Sequence, residues 1–85
     1  MEQEKFKELM SQDNSSDFSA DNVFEGLMII RKYCPGKSVE GAGHDVIYSV
    51  DISDLINAGI TEEDVIKLRN LNWMLQDGEY LACFV

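Results

Sequence analysis

Few residues in this chain could take part in nucleophilic, acid–base or metal chemistry. His44 is the only histidine, and Cys34 and Cys83 are the only cysteines. A Cys–His pair or a zinc site could be drawn from these three, but nothing in their spacing supports either, and no CxxC run is present. His44 follows "GAG" and precedes Asp45 at the entry to a β pattern, where a surface histidine is the ordinary outcome. Gly41 and Gly43 belong to neither a GxxxxGK[ST] run nor a strand–GxGxxG–helix context, so they predict no phosphate site. Glu62, Glu63 and Asp64 are adjacent on a helical pattern and point in different directions around it. That is poor geometry for a carboxylate pair or a calcium loop. The expectation is a non-enzyme with no cofactor and no metal. The two cysteines are expected to be reduced and buried, Cys34 at a helix end and Cys83 in a strand; a disulfide between them stays open.

Charge carries more information. Sixteen acids against seven bases give −9, unevenly spread. Residues 1–25 and 51–85 each hold seven acids and two bases, whereas residues 26–50 hold two acids and three bases. Such a balance repels phosphate backbones and attracts cationic proteins. The candidate partner-binding residues are therefore Glu62, Glu63 and Asp64 with Asp77 and Glu79. Their expected partner is a basic or nucleic-acid-binding protein, and the sharpest form of the idea is nucleic-acid mimicry. The competing explanation is a merely solvated acidic surface. For the 62–64 run, local stability is also sufficient, because acids in a first turn face the positive end of the helix dipole.

The elements that must position these groups form one domain. Its N-terminal part, residues 1–19, reads as an amphipathic helix over 2–10 followed by a polar loop. Residues 20–85 read as the compact body. Phe6, Leu9 and Met10 lie on one stripe. A main helix from Ala20 to about Cys34, capped from Ser19 or Asp17, carries Val23, Leu27, Ile30 and Cys34 on its core stripe. Phe24, Met28, Ile29 and Tyr33 make that apolar arc wider than one sheet needs. Phe6, Leu9, Met10, Met28 and Ile29 are thus candidates for self-association in a two-fold dimer. Gly26, inside the helix, predicts close backbone packing. "HDVIYSVD" predicts a strand with Val46, Tyr48 and Val50 on one face, and "ISDLINAG" a short helix ended by Gly59. Thr61 caps the next helix, with Asp64 placed for a capping box and Ile60 and Val65 for a hydrophobic staple. Asp77-Gly78 predicts a type I′ hairpin in which Leu75 faces Tyr80 and Trp73 faces Ala82.

The order α-α-β-α-α-β-β predicts an α+β fold with a small antiparallel sheet, and from Ala20 onward it resembles the winged-helix fold. That resemblance implies an alternative function, a DNA-binding regulator reading through Lys67, Arg69, Asn70 and Asn72. The acidic first turn and the "QDGE" hairpin tip oppose it. "LRNLNW" followed by "DGEYLACFV" resembles short uncharacterised proteins encoded by bacteriophages and their bacterial hosts. This likeness implies an accessory protein that binds and modulates a host or phage factor. No apolar run, Leu27 to Ile30 in the main helix included, is long enough for a membrane span, and a cytoplasmic setting is the default expectation.

Overall fold

The computed structural model describes residues 1–12 and 21–84. Among these residues, four helices, α1 (Gln3–Ser11), α2 (Asn22–Tyr33), α3 (Ile52–Asn57) and α4 (Glu62–Asn70), pack with one sheet. Its strands are β1 (Gly41–Gly43), β2 (Val46–Asp51), β3 (Trp73–Gln76) and β4 (Tyr80–Phe84), in the order β1-β2-β4-β3 with every neighbour antiparallel. The α+β class follows directly. Strand β1 comes from the "GAG" segment, for which the expected order of elements has no strand, since glycines have low strand propensity. It forms because the chain turns at His44 and Asp45 (φ 59° at Asp45) and folds back on β2.

Local signals explain where the helices begin and end. Asp21 caps α2 by accepting from the Phe24 N–H at 3.1 Å, and the helix starts at Asn22. The caps expected from Ser19 or Asp17, and the boundary expected at residue 19, lie outside the described residues. Gly59, at φ 87°, ends α3. The Gly59 N–H donates to the Ile56 carbonyl at 3.0 Å, and the Ile60 N–H to the Leu55 carbonyl at 3.1 Å. This is a Schellman closure. Thr61 caps α4 as expected, accepting from the Asp64 N–H at 3.2 Å, while Ile60 and Val65 are both buried.

The first helix belongs to the core. It packs on α4, α3 and β3, with Phe6 0% and Leu9 4% exposed. This corrects the assignment of Phe6 and Leu9 to self-association: the surface they would offer a partner is already spent on this chain. Met10 is half-buried against the same cluster.

Two irregularities change which side chains face inward. The Asp77-Gly78 turn has the expected positive φ angles, 55° and 68°, but the ladder pairs Gln76 with Tyr80, Leu75 with Leu81 and Trp73 with Cys83. Every expected partner across the hairpin is displaced by one residue. The extra residue is Glu79, whose carbonyl accepts from the Ile52 N–H at 2.8 Å and so satisfies a first-turn donor of α3. In β2 the register shifts between Tyr48 and Asp51. Ile47, opposite Cys83, therefore packs on the core, and Val50 is buried beyond the bulge. The expected Val46–Tyr48–Val50 face is broken at that point, because one extra residue reverses the period-two alternation.

Gly26 meets the expectation of close packing. A Cβ there would lie 1.9 Å from Trp73 Nε1. Replacing glycine with alanine in an exposed helix interior stabilises by about 1 kcal/mol. Here Gly26→Ala is expected to destabilise by about 1–3 kcal/mol through overpacking, measured by urea denaturation. A gain in stability would contradict the contact. Phe6→Ala should cost about 3–5 kcal/mol, a large share of the stability of so small a domain. An unaltered thermal melt would return α1 to the surface.

Candidate functional site

The acids singled out in the sequence do not form one uniform surface. Asp64 is 6% exposed and turned toward α2, where its carboxylate accepts from the Tyr33 hydroxyl and, at 3.1 Å, from Lys32 Nζ. Lys67 Nζ lies 3.9 Å from its other oxygen. Asp64 therefore leaves the candidate partner-binding set. It completes no reciprocal capping box either, because its side chain is engaged by another helix. The Tyr33 hydrogen bond, then Lys32, hold its carboxyl below the ordinary range against the opposing effect of burial. The hydrogen bond to Asp64 in turn raises Lys32.

Glu62 and Glu63 are exposed, with lysines at the edge of ion-pair range: Lys5 4.0 Å from Glu62 and Lys67 4.0 Å from Glu63. Exposed pairs this long add little stability and leave both carboxylates open to a partner. Asp77 and Glu79 are exposed at the hairpin turn, with Lys7 reaching toward Gly78 from α1. Of the acids in the described segments, only Asp51 and Asp64 are drawn in from the surface, and Asp51 caps α3 through the Ser53 N–H at 2.8 Å.

A second feature lies between α2 and α4. The two helices are tied at both ends by polar contacts. Asn22 Nδ2, at the start of α2, donates to the Leu71 carbonyl at the end of α4, at 3.0 Å. Lys32 and Tyr33, at the end of α2, hold Asp64 at the start of α4. Between the ties runs an open groove of about 520 Å³, lined by Phe24, Glu25, Met28, Ile29, Lys67, Asn70 and Leu71. Phe24 is 58% and Met28 57% exposed. Met28 and Ile29 thus keep their place as surface candidates, and Phe24 and Leu71 join them. The unused width of the helical arc signalled Phe24 and Met28. The α4 wall had no sequence signal.

The residues of the DNA-reading alternative are largely engaged. The Arg69 guanidinium donates to the Leu9 carbonyl at 3.3 Å, to Gln12 Oε1 at 2.9 Å and to Asn70 Oδ1 at 3.3 Å. It thereby closes the negative end of α1. Asn72 has φ 65° and ends α4, the Asn72 N–H bonding the Arg69 carbonyl at 3.0 Å.

Both cysteines are free thiols. Burial pushes each of them up, with Asp54 adding to the effect at Cys34, the opposite of an activated nucleophile. His44 is exposed in the β1–β2 turn. Among the described residues no group of three or more His, Cys, Asp or Glu side chains could hold a metal ion. Nor is any described helix long and apolar enough to cross a membrane. In comparisons with known proteins, no protein-family model, curated protein or solved structure matches the chain.

The role of Asp64 is open to direct measurement. Asp64→Asn removes a charged acceptor from Tyr33 and Lys32 and should cost about 1–3 kcal/mol at neutral pH. Because the folded carboxyl lies below its ordinary value, its stabilisation is present above the unfolded value. It is lost as pH falls through the folded one. The gap between native and variant stability should therefore close below about pH 4. A gap that persists there would assign the loss to packing.

Proposed function

We propose that this chain is a small, non-enzymatic regulatory protein that binds a basic or nucleic-acid-binding protein through carboxylates on its surface. The observation that carries this reading is the outward placement of its surplus acids. Glu62, Glu63, Asp77 and Glu79 are exposed, on a chain of net charge −9. Such a surface speeds encounter with a cationic partner and weakens as salt screens it. In its sharper form the carboxylates stand in for phosphates and occupy the nucleic-acid groove of that partner. The resemblance of the C-terminal segment to short uncharacterised bacteriophage and bacterial proteins implies an accessory role, which accords with an inhibitor acting in this way in the cytoplasm.

A quadruple variant, Glu62→Gln, Glu63→Gln, Asp77→Asn and Glu79→Gln, leaves Asp64 and the core untouched. Its stability should stay within about 0.5 kcal/mol of the native chain. It should lose low-salt capture of cationic protein from a bacterial lysate, and duplex DNA should displace what the native chain captures. Undiminished capture by the variant would remove this reading.

The strand order β2-β4-β3, following helix, strand, helix, helix, supports a second one: a winged-helix architecture with α4 as the reading helix. A DNA-binding regulator of that kind should retard a DNA duplex at low salt. The acidic binder should not, since the exposed first turn of α4 and the hairpin tip would repel phosphate.

A further inference from the structure

The face of α2 that points away from the sheet differs from the rest of the molecule in both polarity and charge. Met28 forms a ridge between two open hollows. One is the α2–α4 groove, and the other, also about 520 Å³, is lined by Met28, Arg31, Lys32 and Pro35. Three of the seven bases in the chain, Arg31, Lys32 and Lys67, line these hollows together with one acid, Glu25, and Glu63 reaches Lys67 at 4.0 Å from outside the lining. Elsewhere acids outnumber bases.

Two of the three cations are held in place from beneath. The buried Asp64 carboxylate lies 3.1 Å from Lys32 Nζ and 3.9 Å from Lys67 Nζ, while both side chains stay more than half exposed. The same carboxylate that is lost to the acidic surface therefore fixes the positions of two basic groups beside an apolar ridge. Arg31 is exposed, with no carboxylate within 4.0 Å among the described residues.

We propose that this ridge and its two hollows form a second docking surface, for a short amphipathic segment of another protein whose apolar anchors are flanked by carboxylates. Charge complementarity selects that occupant. A basic segment would meet three like charges at the rim, and a purely apolar one would offer no carboxylate to Arg31 or to the exposed sides of Lys32 and Lys67. The spacing of Phe24 and Met28, one helical turn apart on the exposed side, suits a helix laid along α2 with anchors at i and i+4. The net −9 of the chain limits the partner to a segment with few carboxylates, because a strongly acidic domain would be repelled at long range. Apart from the Lys67–Glu63 contact at 4.0 Å, this surface shares no residue with the set Glu62, Glu63, Asp77 and Glu79, so separate variants test the two.

The test uses the full chain and three labelled helical peptides with identical Leu and Phe anchors, flanked by Glu, Gln or Lys. The Glu peptide should bind tightest, with amide shifts centred on Phe24, Met28 and Leu71. Arg31→Glu combined with Lys67→Glu should weaken it by about tenfold and invert the order in favour of the Lys peptide. Met28→Glu, at an exposed position, should abolish binding while the thermal melt stays native. The proposal is overturned if no peptide binds, or if all three bind alike. It also fails if the chain sediments as a dimer that Met28→Glu dissociates, since a second copy would then be the occupant. Equal shifts of these residues by duplex DNA would overturn it too.

Discussion

The seating of Trp73 against α2 is the constraint on which the remaining geometry rests. Its indole lies where any side chain at position 26 would have to go, so only glycine permits the helix to approach. The indole N–H donates to the Asn22 carbonyl at 2.9 Å, while the Asn22 amide reaches the Leu71 carbonyl and, at 3.3 Å, Cys83 Sγ. One tryptophan and one asparagine thereby join α2, the end of α4, β3 and β4. The rotation of α2 about its axis follows. With Gly26 and Ile30 turned inward, residues two positions away lie about 200° round the helix. Phe24 and Met28 are left facing outward, which is why the extra apolar width of this helix is not absorbed by the core.

Electrostatics reinforces that arrangement from the other end. Asp64 would be an ordinary first-turn acid if α4 stood alone, favoured by the dipole and open to solvent. Packed against α2, it becomes the acceptor for Tyr33 and Lys32, and its charge serves cohesion. The consequence is a division of labour among neighbours in sequence. Glu62 and Glu63 remain outside, and Asp64 organises lysines on a different face. The molecule thus has an acidic surround with a small apolar face set into it that carries Arg31, Lys32 and Lys67 at its edges.

The most legible parts of the fold were those governed by short-range rules. Thr61 as a cap, Gly59 as a helix stop, the Ile60–Val65 staple and Gly26 as a close-packing site each depend on groups within a few residues, or on a cost no other residue would avoid. The α+β class and the order of its principal elements were legible for the same reason. The candidate site was legible only in part. Exposed Glu62, Glu63, Asp77 and Glu79, and the outward Met28, follow from composition and helical period. Phe6 and Leu9 went the other way, because a stripe of apolar residues states that a face will be covered and not by what.

By itself, the sequence determined the principal helices and strands, though not β1, and that the chain carries a large surplus of negative charge. Tertiary structure alone decided the hairpin register, the inward turn at Ile47 and the burial of Asp64. It also decided the pairing of α2 with α4 that makes a groove. The physical reason is one of range. Capping, turns and periodicity are settled by neighbours along the chain. A bulge that satisfies a distant N–H, or a carboxylate captured by another helix, depends on which surfaces meet once the chain has closed on itself.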